Sequence, residues 1–169
     1  MKIKISLIVA LIAIVVSCSG QNRIPWGNWT WLMGEWVGEG SGQPGQGEGT
    51  FSFNHDLNKN ILVRRSHSEY PATENNPATI HDDLLIVYSD ENKMPSKAIY
   101  FDNERHTINY SISYAETSII LTSNRAQGGP VYRLTYLKLD DETANIKFEM
   151  SQDGQTYKTY IEGKSKKKH

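Results

Sequence analysis

The amino-acid sequence predicts an all-β fold: an antiparallel meander of about eight to ten strands, closed into a barrel and preceded by a short helical turn. Three observations predict it. Apolar and polar residues alternate with period two through most of the chain beyond Met33, the spacing of strands with one buried face. Gly, Pro, Asn and Asp fall between the alternating runs, often at hairpin distance. Nine Tyr, four Trp and four Phe, set among Thr, Ser and Ile, suit a pleated surface, and no helix-length apolar stripe interrupts them.

In chain order, Asn28–Met33 (NWTWLM) reads as a single helical turn that Asn28 can cap. The predicted strands are Glu35–Ser41, Gly47–His55, Asn60–Tyr70, His81–Ser89, Lys97–Asp102, His106–Tyr114, Ser118–Ser123, Val131–Leu139, Asn145–Ser151 and Thr156–Gly163. In His106–Tyr114, Ile108, Tyr110, Ile112 and Tyr114 share one face while Thr107, Asn109, Ser111 and Ser113 share the other. Asn145–Ser151 alternates as cleanly, with Ile146, Phe148 and Met150 opposing Asn145, Lys147 and Glu149. Asp140-Asp141-Glu142 and Gln152-Asp153-Gly154-Gln155 join neighbouring runs as hairpin turns. Many short strands with tight connections lose their exposed edges by closing into a barrel. A two-sheet sandwich is the alternative.

With 169 residues, 38% hydrophobic and 22% charged, the chain has the composition of one globular domain. From Cys18 to Gly163 it carries twelve basic and nineteen acidic side chains, a net −7. An acidic body argues against a phosphate-binding surface, and no Trp lies in a basic strand, so no nucleic-acid partner is expected. Lys164, Lys166, Lys167 and Lys168 form a basic tail, read as a solvated terminus.

The chain opens with the short basic stretch Met1–Lys4 and the twelve-residue run Ile5–Val16, whose only polar member is Ser6. The run is too short for a bilayer-spanning helix and suits the apolar region of a signal peptide. It ends in Val15-Val16-Ser17-Cys18, which resembles the lipobox of bacterial lipoproteins. That resemblance implies cleavage before Cys18 and attachment of acyl chains, palmitate among them, to it. A lone cysteine has no disulfide partner, and two or three acyl chains anchor stably where one does not. The expected organisation is a signal peptide over 1–17, a lipidated tether over 18–27, a barrel over 28–163 and the tail over 164–169. The expected location is a bacterial cell envelope, with the membrane as partner through the lipid.

The string Gly34-x-Trp36-x-Gly38-Glu39-Gly40-x-Gly42, after a helical turn, resembles the opening of calycin barrels, a superfamily that includes lipocalins and nitrobindins. The resemblance implies a calycin-like barrel with an interior site for a small, largely apolar molecule. In nitrobindins that molecule is haem, held by a His near the C-terminal end of the barrel. Here Asn145 to Gly163 contain no His, and His169 lies beyond them, so this route to haem is disfavoured and no cofactor is expected. The Arg-x-Tyr pair of fatty-acid-binding relatives is also broken: Arg133 is followed by Leu134-Thr135, which puts Tyr136 one place too far.

Parity supplies the candidate ligand-binding residues. Trp36, Gly38, Gly40 and Gly42 share one strand face, and Gly47, Gly49, Phe51 and Phe53 another; pointing inward, the glycines either leave unfilled volume or let the strands coil for closure. His81-Asp82-Asp83 cannot chelate as a unit, because Asp82 points away from the other two; a metal would need His67 or His106 as well, and none is expected. Asp102-Asn103-Glu104-Arg105-His106 is a polar turn, with His106 in phase with Ile108 and Tyr110 and so at the rim of the interior. Arg133 faces inward toward a ligand, or outward if Tyr132, Leu134 and Tyr136 are the buried set. One of Arg64 and Arg65 points inward, with Glu69 a possible partner. The candidate set is therefore Trp36, Phe51, Phe53, His81, His106, Tyr110 and Arg133, with Cys18 for lipidation.

No Gly-x-Ser-x-Gly, phosphate-binding Gly-x-x-x-x-Gly-Lys or His-Glu-x-x-His occurs, and no catalytic residue is assigned. The leading reading is a lipid-anchored barrel that binds a small apolar or amphipathic ligand. The alternatives are a structural or interaction lipoprotein with a filled barrel and, least supported, an enzyme using the polar rim near His81 and His106.

Overall fold

The structure is a computed structural model and describes residues 25–40, 48–74, 76–90, 94–125 and 128–169. A 3-10 turn, Gly27–Leu32, precedes ten strands: β1 (Gly34–Gly38), β2 (Glu48–Asp56), β3 (Ile61–Tyr70), β4 (Thr79–Ser89), β5 (Pro95–Asp102), β6 (Thr107–Tyr114), β7 (Ser118–Ser123), β8 (Val131–Lys138), β9 (Thr143–Ser151) and β10 (Lys158–Lys167). Each strand pairs antiparallel with its sequence neighbour, and β1 pairs with β10 to close the barrel. The predicted meander and closure are both present. Residues 1–24, which include the expected signal segment and Cys18, and Gly42 and Gly47 of the glycine pattern lie outside the described residues.

Closure needs more chain than the alternation indicated. The expected tail from Lys164 onward continues β10: Lys166 and Lys167 pair with Val37 and Trp36, and Ser165 with Gly38. Ser165 turns inward and is buried. Lys167 lays its stem across the Trp36 ring, its Nζ 5.6 Å from the ring centre, and donates to the Trp31 carbonyl oxygen at 3.2 Å. The lysines beside it are held by charge instead, Lys166 by Glu39 and Lys168 by Glu35 at 3.1 Å, so a lysine run serves here as a strand.

The 3-10 turn seals one end. Trp29 and Leu32 are fully buried and pack with Trp36, Phe53, Leu62, Val87, Ile119 and Tyr136. Full burial of one such apolar side chain is worth about 1.5–3 kcal/mol, so this cluster is the main source of apolar stabilisation. Its polar atoms are matched: Trp29 Nε1 donates to the Tyr114 hydroxyl (2.9 Å) and Trp36 Nε1 to the Leu32 carbonyl (2.9 Å). Gly34, at φ +100°, turns the chain from the plug into β1, a conformation that favours glycine. At Gly49 a Cβ would lie 2.9 Å from the His67 carbonyl oxygen, so closeness of β2 to β3 explains this glycine.

Candidate functional site

Above the plug the barrel is hollow. A cavity of about 790 Å³ opens at the end opposite the 3-10 turn, bordered by Gly38–Gly40, Tyr70, Glu104 and Tyr160–Lys164. Its two sides differ. Leu134 of β8, Ile146, Phe148 and Met150 of β9 and Ile161 of β10 form an apolar wall, with Tyr132 stacked on Phe148 at 5.6 Å. The facing wall presents Ser66 and Ser68 of β3, His81 and Asp83 of β4, and Tyr100 and Asp102 of β5.

Arg64 lies between cavity and plug. The guanidinium is buried, paired with Asp83, and donates to the hydroxyl oxygen of Tyr136, itself packed against Trp29 and Phe53. Burial opposes the Arg64 charge, but Asp83 and Tyr136 outweigh it and hold the group protonated well above its ordinary range. Removing one partner of such a pair strands a buried charge, at a cost of about 3–5 kcal/mol.

From this pair a polar chain climbs to the mouth. His81 Nε2 stands 3.9 Å from Asp83 and 2.9 Å from the Tyr100 hydroxyl, which donates to Asp102 at 3.3 Å. Asp102 also accepts the backbone N–H groups of Glu104 (3.0 Å) and His106 (2.8 Å) and meets His106 Nδ1 at 2.8 Å. Burial would raise the Asp102 pKa, but the His106 backbone N–H and imidazole draw it below the usual carboxylate range. Tyr100 and Tyr110 are pushed up by burial, so both remain neutral hydroxyls near neutral pH. Neutral phenols, fixed carboxylates and a paired guanidinium can hydrogen-bond a polar group without forming an activated nucleophile.

The sequence candidates divide. Phe51, His81, His106 and Tyr110 all line the cavity. Trp36 and Phe53 do not: both are fully buried in the plug, where Trp36 stacks on Phe51 at 5.9 Å and Phe53 packs on Trp29. Arg133 faces outward. It pairs with Glu149 at 2.8 Å and lies 3.7 Å above the Tyr157 ring, because Tyr132, Leu134 and Tyr136 take the inner face. The inward arginine of the 64–65 pair is Arg64, and its partner is Asp83, not Glu69. Glu69 bonds His67 at 3.0 Å on the outer surface, which also separates His67 from His81. Tyr100, Tyr132, Phe148 and Met150 were missed; each follows from parity once the inner face of its strand is known.

The late strands present Ile146, Phe148, Met150 and Ile161 to the cavity and no imidazole; His169 pairs with Glu142 at 3.1 Å outside the barrel. These residues do not fit a haem held by a late-strand histidine. Among the described residues no group of three or more His, Cys, Asp or Glu side chains is placed to hold a metal ion.

No protein-family model and no curated protein sequence matches this chain. Among solved structures, the crystal structure of Rv2717c from M. tuberculosis is similar, with a TM-score of 0.56, 14% identity, and coverage of 85% of this chain and 97% of that one. The likeness is one of fold.

Proposed function

We propose that this protein is a lipid-anchored component of a bacterial cell envelope whose calycin-like barrel binds one small amphipathic molecule. The observation that carries the reading is the cavity of about 790 Å³, apolar on its β8–β10 side and hydrogen-bonding on its β3–β5 side. Small-molecule sites commonly enclose about 300–1,000 Å³ with mostly apolar walls and a few fixed polar groups. An apolar body against Leu134, Ile146, Phe148 and Met150 gains from leaving water, and a polar edge facing Ser66, Ser68, His81 and Tyr100 keeps its hydrogen bonds. Segments 1–17 and 18–27 act as signal peptide and tether, with acyl chains on Cys18 as the anchor.

Native mass spectrometry of protein purified from its own host tests both halves. A small-molecule adduct that is lost from Phe148→Ala and Tyr100→Phe variants is expected, on top of the mass of the lipid at Cys18. Bare barrel mass from freshly isolated protein, together with no displacement of an apolar fluorescent dye, rejects the binding reading. Absence of radiolabelled palmitate from the protein rejects the anchor.

A further inference from the structure

The chain enters the described fold at a corner of the plugged end. Trp26 donates its indole N–H to the Lys59 carbonyl oxygen (2.8 Å) and meets the His55 ring edge-on at 5.4 Å, which fastens it to the β2–β3 turn. That turn projects Leu57, 64% exposed and held at φ +47°, with Asn58 and Lys59 also at positive φ. Leucine rarely adopts left-handed backbone, and here its side chain gains no packing in return. The neighbouring elements continue the apolar surface. Ile61 opens β3 opposite Tyr88 of β4, and Met94, 43% exposed, stands just before β5.

We propose that this corner (Leu57, Ile61, Tyr88 and Met94) beds into the surface of a lipid bilayer, setting the plugged end against the membrane and the mouth away from it. The inference rests on the lipid anchor at Cys18 proposed above. Cys18 precedes Pro25 by seven residues, so the intervening chain reaches at most about 25 Å when fully extended. That length holds the corner beside Trp26 at the bilayer, while the mouth lies at the far end of β3, ten residues long. Lys59 and Asp56 balance each other in charge at this turn, so the contact draws on apolar burial rather than on anionic headgroups. On the opposite flank the outer faces of β8 and β9 carry Arg133, Lys147 and Glu149 in ion pairs; Leu139 and Tyr160 are also exposed there, so it is the short reach from Cys18 that selects the corner beside Trp26.

The test uses full-length acylated protein carrying Leu57→Cys or, at the mouth, Glu104→Cys. With Cys18 occupied by lipid, an environment-sensitive fluorophore attaches to the introduced thiol alone, and the protein is reconstituted into phosphatidylcholine vesicles. Both variants are expected to float with the vesicles; at position 57 the emission shifts to the blue and iodide quenching falls several-fold relative to position 104. Equal quenching at the two positions in floated protein overturns the membrane contact and leaves the anchor standing. A blue shift at 57 that persists without vesicles and grows with protein concentration also overturns it, and gives the corner to a second copy of the chain. Protein that fails to float and lacks the lipid mass overturns the anchor, and this proposal with it.

Discussion

Strands β3–β5 and β8–β10 stand on opposite sides of the barrel and are patterned in opposite senses. On β8–β10 the inner face is apolar, with Leu134, Ile146, Phe148 and Ile161, and the outer face carries Arg133, Lys147 and Glu149. On β3–β5 the upper inner face carries Arg64, Ser66, His81, Asp83 and Asp102, while Val63 pairs with Ile86, Ile86 with Ile99, and Leu84 with Phe101 on the outside. One flank follows the ordinary rule of apolar inside and polar outside; the other reverses it over half its height. The reversal holds because the inward polar groups bond one another, and it marks the wall that can recognise a polar group.

The reversed flank is the more brittle of the two. Asp83→Ala strands the buried Arg64 charge and is expected to lower unfolding stability by about 3–5 kcal/mol, read by urea denaturation. Arg64→Met combined with Asp83→Leu should recover most of that loss; no recovery breaks the account of the pair. Gly49→Ala forces a Cβ toward the His67 carbonyl where β2 meets β3, with an expected loss of about 1–3 kcal/mol in the same assay. On the ordinary flank, Glu149→Gln removes the charge of a buried carboxylate, but its partners Arg133 and Lys147 are both about a third exposed and keep water, so the loss should be about 1–2 kcal/mol.

The acid limb of stability compares the flanks through pH. Hydrogen bonding from Arg133, with Lys147 behind it, lowers the Glu149 pKa, and the His106 contacts lower that of Asp102 against the opposing effect of burial. A folded-state pKa below the unfolded value favours the fold at pH above the unfolded value, and the advantage disappears as pH falls through the folded one. Stability should therefore decline below about pH 4.5, with Glu149→Gln and Asp102→Asn each flattening the decline; an unchanged slope in both variants contradicts it. Smallest of all, Ile86→Thr on the outer face of β4, where the side chain is half-buried between Val63 and Ile99, should cost about 0.5–1 kcal/mol.

Much of the site was legible as parity. Ile108, Tyr110, Ile146, Phe148 and Met150 alternate so regularly that their faces follow from spacing alone. Arg64 and Asp83 could be placed on faces but not joined, because joining them needs the β3–β4 register, in which Arg64 stands opposite Leu85 and two residues from Asp83's partner Ser66, on the same face. Phe53 shares parity with Phe51 on β2 and Trp36 stands opposite Phe51 on β1, yet parity is silent about height along the barrel axis. The 3-10 turn fills the lower interior and takes both into the plug, leaving Phe51 at the boundary. Arg133 has the alternation of either face, and the choice fell to the larger apolar set on the other parity.

By itself the sequence determined the all-β class and the meander order, because side-chain alternation and turn residues act over a few positions and need no distant partner. Tertiary structure alone decided how far β10 runs, which faces of β3–β5 turn inward, and where the interior changes from packed to hollow. Those outcomes depend on which side chains meet across the closed barrel, and such meetings are set by register and closure rather than by any local pattern.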